Sequence, residues 1–243
     1  MSNFVEEQSE AIVKREMVLF FMIDQSGSME GTKMGAVNTA VREVIPELKT
    51  IGGADVDLRV AVLKFSSGCI WMHPSGPIPV NDFVWHNIQA SGVTDLGAAC
   101  IELNDKMSHS KFLNRPSGSV APAIFLMSDG SATDDYNGGL AQLQHNNWYK
   151  HAIKIAVAIG DDAEFDELAK FTGAKEAVIT VHTPEALKKM IKFVSVTSAQ
   201  IGSQSQGSNM QSKQNNMIQQ VQDFVQSDPS FDPGGVSVDE NDW

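Results

Sequence analysis

Two short stretches bring oxygen-bearing side chains together at spacings that suit a hard cation. In Phe21-Met-Ile-Asp-Gln-Ser-Gly-Ser-Met-Glu30, the residues Asp24, Ser26 and Ser28 alternate with Gln25 and Gly27 directly after an apolar run. A second apolar run, residues 120–127, ends in Ser128-Asp129-Gly130. Mg²⁺ and Mn²⁺ take oxygen ligands, and Mg²⁺ keeps some of its six as water. With no His or Cys beside these residues, the set favours Mg²⁺ or Mn²⁺ over Zn²⁺. Ser and Asp also serve as helix caps and turn formers. What lifts the pattern above that use is its place, after a buried strand and before an amphipathic helix, together with the second strand that ends the same way.

The elements that must position these groups can be read from periodicity. Residues 17–23 form a continuous apolar run, expected of a strand buried on both faces. Met34, Val37, Val41, Val44, Ile45 and Leu48 give a helical stripe that ends at Gly52-Gly53. Residues 56–65 predict a strand, with 69–72 as its short antiparallel partner across Ser66-Ser67-Gly68. An irregular stretch, 74–93, leads to a helix over 96–107 and a strand over 120–127. A weaker helical pattern covers 140–148, a strand 153–159, a helix 165–171 and a strand 177–181. Thr183-Pro184-Glu185 opens the last helix with a capping Thr and a Pro at the first helical position.

This alternation predicts an α/β fold: a doubly wound, Rossmann-like, mostly parallel sheet with one short antiparallel edge strand and helices on both faces. In such sheets ligands bind beyond the carboxyl ends of the strands, where Asp24 and Asp129 should both project. Residues 1–15 read as a polar leader and 16–200 as the domain. Residues 201–243 read as a Gln/Ser-rich linker, a short amphipathic segment (Met217, Ile218, Val221, Phe224, Val225) and an acidic, disordered tail.

The chain has 243 residues and a formal net charge of −12, which argues against nucleic acid or anionic lipid as the main partner. Two cysteines, Cys69 and Cys100, are too few for a disulfide framework and suit a reducing compartment. No apolar stretch is long enough to span a membrane, and Asp24 interrupts the run that imitates a secretory signal. The expected location is the cytoplasm.

Taken together, Asp24-Gln-Ser26-Gly-Ser28-Met29, Ser91-Gly-Val-Thr94-Asp-Leu-Gly97 and Met127-Ser-Asp129-Gly130 resemble the three loops of a von Willebrand factor A domain. The resemblance covers roughly residues 15–200. It implies a metal-ion-dependent adhesion site with Asp24, Ser26, Ser28, Thr94 and Asp129 as its metal residues. Where the family often has Gly-Gly-Thr, this chain has Gly92-Val93-Thr94, which keeps the Thr. Within the family the sequence is most similar to the bacterial tellurium-resistance, TerY- and YegL-like group, through residues 128–135 and 158–163 and the terminal helix.

The resemblance implies a non-enzymatic protein–protein interaction module whose Mg²⁺ or Mn²⁺ captures a Glu or Asp of a partner. It further implies a bacterial stress-response system with a protein kinase and a 2C-type phosphatase. The rival readings are a subunit coupled to an AAA-type ATPase, as in chelatase-like machines, and a Mg²⁺-dependent phosphoryl-transfer or hydrolytic enzyme. Against the enzyme, there is no Gly-x-x-x-x-Gly-Lys-Ser/Thr loop. Asp55-Val-Asp57 precedes its strand and should lie on the opposite edge from Asp24. Glu30, Asp95, Asp134 and Asp135 are expected near the metal face, as an acidic rim or as helix caps. Trp85 is the tryptophan most open to partner contact.

Overall fold

The structure, a computed structural model, describes residues 15–51, 56–114, 119–160, 163–203 and 210–231. The first strand, β1 (Arg15–Asp24), is buried at every residue after Arg15. Its side chains alternate between two layers, as the two-residue strand period requires. Met17, Leu19, Phe21 and Ile23 face one layer, while Val18, Phe20 and Met22 face the other. A 3₁₀ turn (Gly27–Met29) leads into α1 (Thr32–Ile51). Then follow β2 (Val56–Ser66), β3 (Gly68–Trp71), β4 (Ile78–Pro79), α2 (Leu96–Lys106) and β5 (Ala123–Ser128). The next elements are α3 (Tyr136–Gln144), α4 (Asn147–His151), β6 (Ile153–Ile159), α5 (Phe165–Thr172) and β7 (Val178–Val181), and the last helices are α6 (Pro184–Ser203) and α7 (Met210–Ser227).

The sheet order is β3-β2-β1-β5-β6-β7, parallel from β2 to β7. β3 is antiparallel to β2 at the edge, as expected. The expectation of one antiparallel strand is incomplete, because β4 also pairs antiparallel with β2. It reaches only two residues, since Pro77 and Pro79 have no N–H to extend a ladder. One face of the sheet is covered by α1 and α6, through residues such as Val37, Val41, Leu187 and Met190. The other face is covered by α2, α3 and α5, through Leu96, Leu103, Leu140 and Phe171. The topology reverses direction at β1, which is flanked by β2 and β5, and a crevice opens there at the carboxyl ends.

Two local expectations change. The helical pattern over 140–148 is two helices, α3 and α4, because the Asn146 side chain accepts from the Trp148 and Tyr149 N–H groups and starts the second one. Helices also cover part of the segment expected from residue 201 as a linker and an amphipathic stretch. α6 runs to Ser203, and α7 docks with Met217 and Val221 buried in the α1/α6 layer. The Gln214 amide accepts from the Lys154 N–H (2.8 Å) and donates to the Lys154 carbonyl (3.0 Å), extending hydrogen bonding at the start of β6. Phe193 stacks on Phe224 at 4.1 Å, and Phe224 meets the buried Phe231 edge-on at 5.5 Å. Lys189 lies 2.9 Å from Asp228 and, with Ser230, holds that carboxyl down at about 2. The expected amphipathic segment is thus part of a docked helix. The polar leader before Arg15, residues 204–209 and the acidic end, residues 232–243, lie outside the described residues.

Phe231→Ala is expected to loosen this C-terminal anchor by about 3 kcal/mol, as for other large-to-small core changes. Amide hydrogen exchange should then quicken in α7 and stay unchanged in β1 and β5. Among the described residues, no helix is long and apolar enough to cross a membrane.

Candidate metal centre

The crevice at the β1/β5 edge is built from three loops. Asp24 is the last residue of β1, and Ser128 the last of β5. Because Ile23 pairs with Met127, Asp24 and Ser128 are side by side, and the Ser128 hydroxyl donates to Asp24 Oδ2 at 2.6 Å. The Ser26 N–H donates to Asp24 Oδ1 at 2.8 Å, which folds the first loop back over its own carboxylate. The Ser26 and Ser28 hydroxyls are 3.0 Å apart, and the Ser28 hydroxyl donates to Asp129 Oδ1 at 2.7 Å. A Cβ placed on Gly130 would lie 3.6 Å from Ser28 Oγ and 3.7 Å from Thr94 Oγ1, so both hydroxyls flank the same spot. All five predicted residues thus converge on one place. Asp24, Ser26, Thr94 and Asp129 are buried there, and Ser28 opens to solvent.

Backbone contacts hold the loops together. Gly27 N–H donates to the Gly92 carbonyl (3.0 Å), and Ser91 N–H to the Gln25 carbonyl (2.6 Å). Gly92 has φ +81°, and a Cβ there would fall 2.6 Å from Ser67 Oγ, so the second loop requires glycine at this point. Val93 projects outward, 48% exposed, and leaves Thr94 undisturbed. The second and third loops are joined by Thr94 N–H to Thr133 Oγ1 (3.1 Å) and Thr133 N–H to the Thr94 carbonyl (2.8 Å).

Three of the expected rim acids, Asp95, Asp134 and Asp135, are held by backbone N–H groups. Asp134 accepts from Gly97 N–H (2.8 Å) and Ala98 N–H (2.7 Å), so it caps α2, while Asp135 caps α3 by accepting from Gly138 N–H. Asp95 accepts from Gly68 N–H at 2.7 Å. Trp85 is an anchor: its indole N–H donates to Asn38 on α1 (3.2 Å), and Asn38 also binds the Ile88 backbone.

Electrostatically the pocket suits a cation. Burial pushes the Asp24 carboxyl above its ordinary range, against the hydrogen bonds from Ser128 and Ser26, and the charge of Asp129 pushes the same way. A positive ion between the two carboxylates would relieve both effects. Ser28, whose hydroxyl hydrogen points at Asp129 Oδ1, turns its lone pairs to the pocket. Among the described residues no three His, Cys, Asp or Glu are grouped to hold a metal, so a cation here would depend on hydroxyl oxygens.

One participant was missed from sequence. Lys33 on α1 brings its Nζ to 2.6 Å from Asp129 Oδ2. A basic residue in the first turn of a helix, where the dipole disfavours it, was the available signal.

A family model of the von Willebrand factor type A domain matches residues 19–193. No curated protein matches the sequence. Among solved structures, a von Willebrand factor type A protein from Catenulispora acidiphila is 21% identical with a TM-score of 0.57, over 76% of this chain and 43% of that one. Proximal thread matrix protein 1 from the mussel byssus, with a zinc-occupied MIDAS motif, is 18% identical with a TM-score of 0.57, over 74% and 47%. The ArnB paralog VWA2 from Sulfolobus acidocaldarius is 15% identical with a TM-score of 0.53, over 75% and 44%. The chain spans less than half the length of each of these three structures, and at such identities the likeness is one of fold.

Proposed function

The chain belongs to the von Willebrand factor type A family, and from that premise we propose that it is a non-enzymatic module that uses a divalent metal to capture an acidic residue of a partner protein. Domains of this family serve as metal-dependent interaction modules. The observation that carries the reading is the convergence of three hydroxyls, from Ser26, Ser28 and Thr94, on a pocket with two buried carboxylates, Asp24 and Asp129. Mg²⁺ or Mn²⁺ is the ion that this oxygen set fits.

The neutral hydroxyls leave a bound dication short of negative charge, so a Glu or Asp from outside becomes a favourable further ligand. The ion supplies Lewis acidity at that point. The chain's own residues would hold it: the Asp24–Ser26 and Asp129–Ser28 hydrogen bonds fix the first loop and the Ser28 hydroxyl, and Ser28 lies at the open rim. Of the acids expected at the rim, Asp95 and Asp134 accept from backbone N–H groups, which ties them to the loops.

The partner's identity rests on the motif likeness to the tellurium-resistance group. It supports a bacterial stress-response system in which the partner is a protein kinase or a 2C-type phosphatase. A cytoplasmic location fits the two free thiols, Cys69 and the buried Cys100, the first of which burial pushes up to about 11.

Immobilised protein is expected to retain a lysate protein in Mg²⁺ that EDTA releases, and an Asp24→Ala/Ser26→Ala double variant to retain none. Retention that survives both EDTA and the double variant would place the binding surface on another face.

A further inference from the structure

Lys33 is placed against local helix preference. It is the second residue of α1, where the positive end of the helix dipole repels an ammonium and no acidic residue of the first turn compensates. Its side chain is only 16% exposed and reaches Asp129, which is fully buried. The path is provided by Gly160, at the end of β6 with φ +85°, where a Cβ would lie 3.3 Å from Lys33 Cε and 3.4 Å from Nζ. Asp129 therefore splits its two oxygens, Oδ1 accepting from Ser28 and Oδ2 from Lys33. Ser28 faces the hydroxyl cluster, whereas Lys33 approaches from the α1/β6 side.

Resting on the metal reading above, we propose that Lys33 sets the charge of the metal centre. Its ammonium shares Asp129 with the cation, loosening the hold on the metal and making the bound ion more attractive to a carboxylate. The charge count shows why. Two carboxylates and one ammonium leave a single net negative charge, so a bound dication makes the site net positive by one. Without Lys33 the loaded site would be neutral, and an incoming carboxylate would be attracted less strongly. The residue exchanges metal affinity for ligand affinity, and it does so without touching the metal's hydroxyl ligands.

The test compares wild type, Lys33→Met and Lys33→Arg. Calorimetric titration with Mn²⁺ alone measures metal affinity. Acetate is then titrated onto the Mn²⁺-loaded proteins and followed by water proton relaxation. Removing one charge a few ångströms from a dication is expected to tighten Mn²⁺ binding about tenfold. Acetate binding should weaken several-fold in the same variant, and Lys33→Arg should behave as wild type. Unchanged or weaker Mn²⁺ binding in Lys33→Met overturns the proposal. So does tighter Mn²⁺ binding with no loss of acetate, or an Arg variant that behaves like Met. If wild type itself takes up no Mn²⁺, the metal reading fails first and this inference falls with it.

Discussion

Asp129→Ala is expected to abolish the thermal stabilisation that a divalent cation confers. A ligand that binds only the folded state at one hundred times its Kd adds about 2.7 kcal/mol. For a domain of this size that corresponds to a rise in Tm of roughly 5–10 °C in the wild type. Asp129 orients the Ser28 hydroxyl through its Oδ1 and supplies one of the two buried negative charges. Its removal takes away both, leaving Ser28 free to turn and the pocket with Asp24 alone. The metal-free variant should still fold, because Lys33 is near enough to the surface to return its ammonium to water. Thermal melts with EDTA and with excess Mn²⁺ decide the matter. A variant that gains as much as wild type on adding Mn²⁺ would put the cation elsewhere.

The second large effect concerns two glycines that hold the second and third loops in contact. α2 and α3 approach so closely that a Cβ on Gly139 would lie 2.3 Å from the Gly97 carbonyl oxygen and 2.8 Å from the Gly97 Cα. A Cβ on Gly97 would in turn fall 2.5 Å from the Asp135 carbonyl oxygen. The obstructing atoms are backbone, so they move only if the loops move. Asp134, which holds the Gly97 and Ala98 N–H groups, and the Thr94–Thr133 pair would be carried along. Gly139→Ala is expected to cost about 3 kcal/mol, the upper range for overpacking, and to weaken Mn²⁺ binding because Thr94 is displaced. Gly35→Ala is the control. It lies in α1 with open space where its Cβ would go, and it should stabilise by about 1 kcal/mol through helix propensity alone. Chemical denaturation of both variants checks the contrast, and equal stability would contradict the close helix contact.

Much of this site can be read along the chain because its key groups sit at strand ends. An unbroken apolar run marks a strand buried on both faces, and the first polar residue after it must emerge at the carboxyl edge. That reasoning places Asp24 and Ser128, with Asp129 next in the chain, at one edge, and the register of β1 against β5 sets the strand ends side by side. Asp134 shows the opposite case. Nearby sequence offers it a helix of its own to cap, yet it caps α2, with Ala98 lying 36 residues away. Local pattern cannot foresee a cap supplied across space. Lys33 escaped for a similar reason, since its partner lies 96 residues on.

The C-terminal helix declared its apolar stripe in the sequence but not its length. Residues 210–227 are dominated by Gln, Ser and Asn, and average composition reads as linker. The apolar stripe of Met217, Val221 and Phe224 is narrow, but it meets a ready surface on α6, and Gln214 gains a backbone partner in Lys154. Tertiary contacts, rather than intrinsic propensity, stabilise such a helix.

The central claim is that one divalent ion sits among the hydroxyls of Ser26, Ser28 and Thr94. Its most direct test is the anomalous scattering of manganese from crystals grown with Mn²⁺. The predicted result is one strong peak at about 2.1 Å from those hydroxyl oxygens, a distance typical of a small hard dication, with Lys33 still on Asp129. A map with no peak in the crevice, or with peaks only at surface carboxylates such as Asp105 and Asp166, would contradict it.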